Sequence, residues 1–251
     1  MRVIYYDIST NQKRGKTMDF DVIQPNYELR ACSRQQLQGY WKKLAFAYFS
    51  LAVIYSPYYI FSFWEQLHDD VIMIKFISGV LGLAVAIVAG PFSLGFVGLL
   101  LKRIRGQEIR WENIFDGFKN FGSAFVLSLC TAIFTFLWTL LLIVPGFIKA
   151  YAYSMAFFIL HDNPKMDPLE AIKQSQIMMK GYKWKLFLLQ LSFIGWAFLC
   201  VLTLGIGFFW LYPYMNLSIA NFYENLKKNQ EKALLEGQQA GQTPEVDSNN
   251  Q

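Results

Sequence analysis

Six apolar runs, most of them long enough to cross a bilayer, dominate this chain. They cover residues 44–64, 71–101, 122–144, 147–160, 186–204 and 208–223. A spanning helix needs about 20 mostly apolar residues. In lipid the backbone must satisfy its own hydrogen bonds, so such runs are expected to be helical. Composition agrees: 54% of the 251 residues are hydrophobic and only 16% charged, against roughly 25% charged in soluble domains. The first run reads as a span and not as a cleaved signal peptide. Gly90-Pro91 interrupts the second run, which predicts one kinked helix or, alternatively, two short ones. The fourth run follows Pro145-Gly146 and is short, so it reads as a span or as a re-entrant hairpin.

Charge sets the expected topology. With six spans, one side collects residues 1–43, 102–121, 161–185 and 224–251, which hold 21 of the 23 Lys and Arg. The other side holds Lys75 and Lys149 together with Glu65, Asp69 and Asp70. The positive-inside rule makes the basic side, and with it both termini, cytoplasmic. The net charge of +5 then reflects basic residues beside anionic lipid and not a nucleic-acid surface.

The spans read as three tandem hairpins. Their cytoplasmic lead-ins are similar: Gly39-Tyr40-Trp41-Lys42-Lys43, Gly117-Phe118-Lys119-Asn120 and Gly181-Tyr182-Lys183-Trp184-Lys185. The third hairpin resembles the second more than the first; ordinary interface composition is the competing explanation. Pro145, Gly146, Gly205 and Gly207 mark the outer turns. An amphipathic helix is expected before each hairpin. Asp167 caps the clearest one, with Pro168 at its first position and Glu170 as a capping-box acid. Leu169, Ile172 and Met179 form its apolar side. Asn26 caps the first, which carries Leu29, Gln36 and Leu37 on one side and Arg30 and Arg34 on another. Trp111, Ile114, Phe115 and Phe118 form the apolar side of the second. Such helices are expected in the interface, as anchors or as docking sites for a protein partner. The fold class is therefore all-α: a polytopic bundle over residues 27–227, with a polar extension at 1–26 and a disordered tail at 228–251.

Polar side chains at membrane depth are costly and mark sites. Gln190, Tyr214, Ser218, Asn221, Thr131 and Thr135 are the candidate ligand-binding residues; hydroxyls bonded within their own helix are the plain alternative. Ser78, Gly82, Ala86 and Gly90 recur every four residues as a helix-packing stripe. His161-Asp162-Asn163 is a helix-end turn before Pro164, because two adjacent donors make no zinc site. The three Cys build no disulfide framework, and paired carboxylates or nucleophile motifs are missing. No cofactor, metal or catalytic residue is expected, nor is nucleic acid; membrane lipids are the expected partners.

Several strings carry a family resemblance: ELRACSRQQLQGYW, FDGFKNFG, LWTLLLIVPGFIKAYAYSMAFFILHDNP, EAIKQSQIMMKGYKW and LSFIGWAFLCVLTLGIGFFWLYPYMNLSIANFYENL. Over residues 27–227 the chain resembles the Domain of Unknown Function 975 family of bacterial integral membrane proteins. It is distantly similar to the membrane region of some glycerophosphodiester phosphodiesterases, without their catalytic domain. The resemblance implies a multi-pass bacterial cell-membrane protein and supplies no functional residues. The residues themselves point to binding, sensing or moving an amphipathic lipid or peptide without catalysis, or to a membrane scaffold or accessory subunit. A topology reporter fused after Gly146 or Gly205 is expected to read as external, and one after Gly106 or Lys165 as cytoplasmic; an opposite reading at any of these turns overthrows the arrangement.

Overall fold

The computed structural model describes residues 24–67 and 72–240; His68, Asp69 and Asp70 of the first outer turn lie outside them. Among the described residues the chain is all-helical. The first hairpin is α1 (Asn26–Leu37) leading into α2 (Trp41–Leu67) and α3 (Ile72–Ile104). The second is a 3₁₀ helix, Trp111–Asn120, continuing into α4 (Phe121–Leu141), then α5 (Ile143–Tyr153) and α6 (Ala156–Asp162). The third is α7 (Pro168–Met178), then α8 (Lys183–Leu191), α9 (Ile194–Leu202) and α10 (Phe208–Ala240). Five stretches are long and apolar enough to cross a membrane: 41–67, 72–104, 111–141, 143–162 and 183–202. The sixth expected span, 208–223, forms the first half of α10, which is not among them; Asn216 and Asn221 lie inside that segment and Glu224 and Asn225 directly after it.

Several sequence expectations change in detail. The second run is one helix, with Pro91 inside it. Of its small-residue stripe, Gly82 faces Tyr58 and Gly90 faces Ala124 and Ser128, while Ser78 hydrogen-bonds Glu65. Ala86 is exposed. Four-residue spacing drifts about 40° per step on a 3.6-residue helix, so the stripe rotates from α2 toward α4 and Ala86 falls between. The turn between α4 and α5 is made by extended Leu142, φ −158° and ψ 139°, and not by Pro145-Gly146. Pro145 sits in the first turn of α5, where its missing N–H costs nothing. Gly146 serves close packing, since a Cβ there would meet Thr139 Oγ1 at 2.3 Å. Gly205 does turn the chain, at φ +87°, next to Leu204 at φ +53°. The hydrogen bonds Gly205 N to Cys200 O and Leu204 N to Val201 O close a Schellman cap. Gly207 packs against Cys200.

The lead-in elements differ as well. Asp167 caps α7 by accepting from Leu169 N; Glu170 accepts from Gln174 instead of closing a capping box. Leu169 is half exposed, while Ile172 and Met179 are buried. Pro25, not Asn26, holds the N-cap position of α1. In the 3₁₀ helix Ile114 and Gly117, three residues apart, turn inward, Phe115 falls off that row and is exposed, and Trp111 is exposed as the helix's first residue. At the Gly lead-ins the first and third hairpins match and the second departs: Gly39 has φ +77° and Gly181 φ +86°, each followed by a Tyr N–H bonding three residues back. The helix α10 runs on past Asn229, where composition reads as disorder, to Ala240. Gln, Glu, Lys, Ala and Leu in that stretch are all good helix formers.

The lead-in elements set the plan of the fold. The second and third pack on the preceding hairpin: the 3₁₀ helix chiefly on its second arm, α3, and α7 on α5 and α6 and also on α4. The lead-in of the first hairpin, α1, packs instead on α10, the second arm of the third, and closes the ring. The contact points are small residues. A Cβ on Gly117 would lie 1.9 Å from Pro91 O, and one on Gly95 1.8 Å from Ile114 O. Ser175 Oγ donates to Ala152 O at 2.7 Å and accepts from Met155 N at 3.1 Å, bridging the break between α5 and α6. Ser33 and Ser175 each stand six residues before their turn glycine.

The three second arms meet at the ends where they leave the apolar stretches. Asp162, 7% exposed, accepts from Arg105 after α3 at 2.8 Å and from Lys227 of α10 at 2.6 Å. It also accepts from Tyr223 Oη, and Arg105 reaches Glu224 at 2.8 Å. Partial burial pulls the Arg105 pKa down, but hydrogen bonding to Asp162 and Glu224 outweighs it and raises the pKa. Two stability outcomes follow, both read by thermal unfolding in detergent. Gly117→Ala loses about 3 kcal/mol by overpacking, whereas Gly79→Ala, with nothing within 4 Å, loses nothing. Asp162→Asn costs about 2 kcal/mol by leaving Lys227 without its carboxylate and Arg105 with Glu224 alone.

Candidate ligand groove between the first and last helices

A hydrogen-bonded seam joins α1 to α10. Tyr214 Oη donates to Arg30 O at 3.3 Å, Ser218 Oγ to Ser33 Oγ at 3.0 Å, and Asn221 Nδ2 to Gln36 Oε1 at 2.7 Å. Partners advance together along both helices, so α1 runs parallel to α10 and is part of the bundle. An interfacial orientation flat on the membrane does not fit this seam. Tyr214 precedes Glu224 by ten residues, about 15 Å of helix, so Arg30 lies well up the bundle from the Asp162 cluster.

Here the third hairpin is open. Its first arm breaks between α8 and α9, where Ser192 Oγ donates to Leu189 O at 2.6 Å; such back-bonding bends helices. The Ser192 carbonyl receives Arg30 Nη1 at 3.5 Å. At the break Phe193 sets its ring edge-on to Tyr214 of α10, centroids 5.0 Å apart, and further on Cys200 of α9 packs against Gly207 just before α10. A cavity lies on each side of this contact. One, about 590 Å³, is a groove between α1, α9 and α10. Tyr27, Arg30 and Arg34 form one wall; the rest is mainly apolar, with Trp41, Trp196, Leu199, Trp210 and Leu211 beside Thr203 and Tyr214. No carboxylate lines it, and Arg30 Nε is buried without a hydrogen-bond partner. A guanidinium held like this carries a desolvation cost that an anion would relieve. The other cavity, about 390 Å³, is almost wholly apolar, with Gln190 Oε1 bonded to Tyr151 Oη at 2.7 Å on its wall.

The six sequence candidates separate. Tyr214 lines the groove and Gln190 the apolar cavity. Ser218 and Asn221 are buried in the α1–α10 seam and hold it together. Thr131 bonds back to Leu127 O in its own helix, and Thr135 O accepts from Thr139; neither lines a cavity described here. Among the described residues no three His, Cys, Asp or Glu gather as metal ligands.

Arg30 and Arg34 are the residues that sequence reasoning placed on a surface face. A signal for Arg30 was present. In the register that aligns Gly39 with Gly181 and Ser33 with Ser175, Arg30 falls on Ile172. Ile172 is 2% exposed in α7. A charge at the counterpart of a buried apolar position breaks the local rule, as functional sites do.

The family description "Protein of unknown function (DUF975)" has a model that matches residues 18–149 and 140–230. The chain belongs to the DUF975 family. With five membrane-length apolar helices, this DUF975 member is a multi-pass membrane protein. No curated protein and no solved structure matches the chain. The DUF975 description assigns no activity, so function is argued from the groove.

Proposed function

We propose that this protein binds an anionic amphipath, a phospholipid or a lipid of similar acidic headgroup, in the groove between α1, α9 and α10. It does so in the cell membrane with both termini cytoplasmic, and without catalysis. The observation that carries the reading is Arg30, placed at the counterpart of a buried isoleucine with Nε unpartnered. Arg34 follows one turn later on the same wall. Two guanidinium forks suit a phosphate or carboxylate, and Trp196, Leu199 and Trp210 suit an acyl chain beside it. Binding would draw Arg30 from its long contact with Ser192 O, which couples occupancy to the break between α8 and α9 and offers a route to sensing.

A second reading, an accessory subunit holding a protein partner, rests on α7, where Leu169 and Ile177 are half exposed on a cytoplasmic-side helix. One experiment separates the two: mass spectrometry of what stays bound after gentle purification with native lipid. We expect a stoichiometric anionic lipid on the wild type, reduced about tenfold in Arg30→Ala/Arg34→Ala, with zwitterionic lipid unchanged. A lipid profile that ignores both substitutions overturns lipid binding. A stoichiometric protein in its place supports the second reading.

A further inference from the structure

On another face of α10 lies a cleft of different chemistry. It is about 400 Å³, between α2 and Tyr212. Tyr48, Tyr55 and Tyr59 fall at i, i+7 and i+11 on α2, which places them along one helix face. Tyr212 joins them from α10, its ring stacked on Tyr48 with centroids 4.1 Å apart and planes 22° apart. Ser56, also on the wall, donates its own proton to Val53 O, so it offers the cleft only an acceptor. Leu51, Ala52 and Ile60 complete the lining, and no basic or acidic side chain takes part.

This composition selects among ligands. An anion finds no cationic partner here, in contrast to the arginine wall on the far side of α10. A plain alkyl chain needs leucine and phenylalanine, not four phenols gathered at membrane depth. A cation with an apolar body meets four tyrosine rings, two of them stacked on each other, with hydroxyl oxygens, in a poorly hydrated setting where cation–π attraction is strongest. We propose that the cleft is a second binding site, for an amphipathic organic cation of the quaternary-ammonium class.

The test uses the full chain in nanodiscs of phosphatidylethanolamine, which carries no trimethylammonium group. A fluorescent alkyltrimethylammonium probe and its uncharged tert-butyl isostere are titrated, with empty nanodiscs correcting for partition. The charged probe is expected to bind about tenfold more tightly than the isostere. Equal affinity overturns the proposal without any variant. Tyr55→Phe/Tyr59→Phe keeps the ring faces and is expected to keep the preference within about threefold. Tyr55→Leu/Tyr59→Leu removes the faces and is expected to abolish it; a preserved preference there overturns the aromatic site. Tyr59 is 66% exposed, which makes that side of the cleft tolerant of substitution. In phosphatidylcholine nanodiscs, weakened probe binding assigns the lipid's own trimethylammonium as occupant, and unchanged binding assigns a free cation.

Discussion

A backbone group released from a helix inside a membrane must be met by some other part of the chain, because lipid offers it nothing. Two arms of this bundle are broken, at Ser154 and at Ser192, by serines whose hydroxyls bond three residues back. Both breaks are met by lead-in helices. Ser175 of α7 bridges Ala152 O and Met155 N, and Arg30 of α1 reaches Ser192 O. The remaining lead-in element, the 3₁₀ helix, meets α3 by the close backbone approach at Gly117 and Gly95 and by the Asp116–Lys102 ion pair. The ring of lead-in elements follows from these encounters, and the Asp162 cluster ties the arms they cover.

The departures from that repeating plan locate the chemistry. Where α7 buries Ile172, α1 carries Arg30. In the second hairpin Gly146 lets α4 and α5 approach closely, whereas α9 meets α10 mainly around Cys200, Gly207 and Phe193 and leaves a cavity on either side. A bundle stabilised evenly in all three sectors would have no such opening. Polar glue between membrane helices contributes only modestly per contact, so the loose third sector costs little while the seam between α1 and α10 stays intact.

Much of the fold was legible in the sequence, for physical reasons. Length and hydropathy place the helices because lipid leaves few alternatives. Gly39, Gly181 and Gly205 announce their turns because each adopts positive φ. The site was half legible. Polarity at depth singled out Tyr214 and Gln190, but the same rule singled out Ser218 and Asn221, whose partners Ser33 and Gln36 lie about 185 residues away in the chain. Pairings at that distance leave no local periodicity. Arg30 and Arg34 read as a solvated helix face because nothing within α1 says that it stands beside α10. The turn at Leu142 was hidden for another reason: Pro145-Gly146 is a strong turn signal that here serves a helix start and a close contact.

Closure of the ring by its first and last helices also orders events in time. During synthesis α1 leaves the ribosome ahead of the three hairpins described, yet the surface it covers lies on α10, in the last of them. Until α10 is inserted, Ser33, Gln36 and Arg30 have no native counterpart on the α10 side. Docking of α1 is thus a report that every hairpin before α10 has been threaded, and a chain stalled after its second hairpin would still display an unsheltered arginine to the membrane's quality-control machinery.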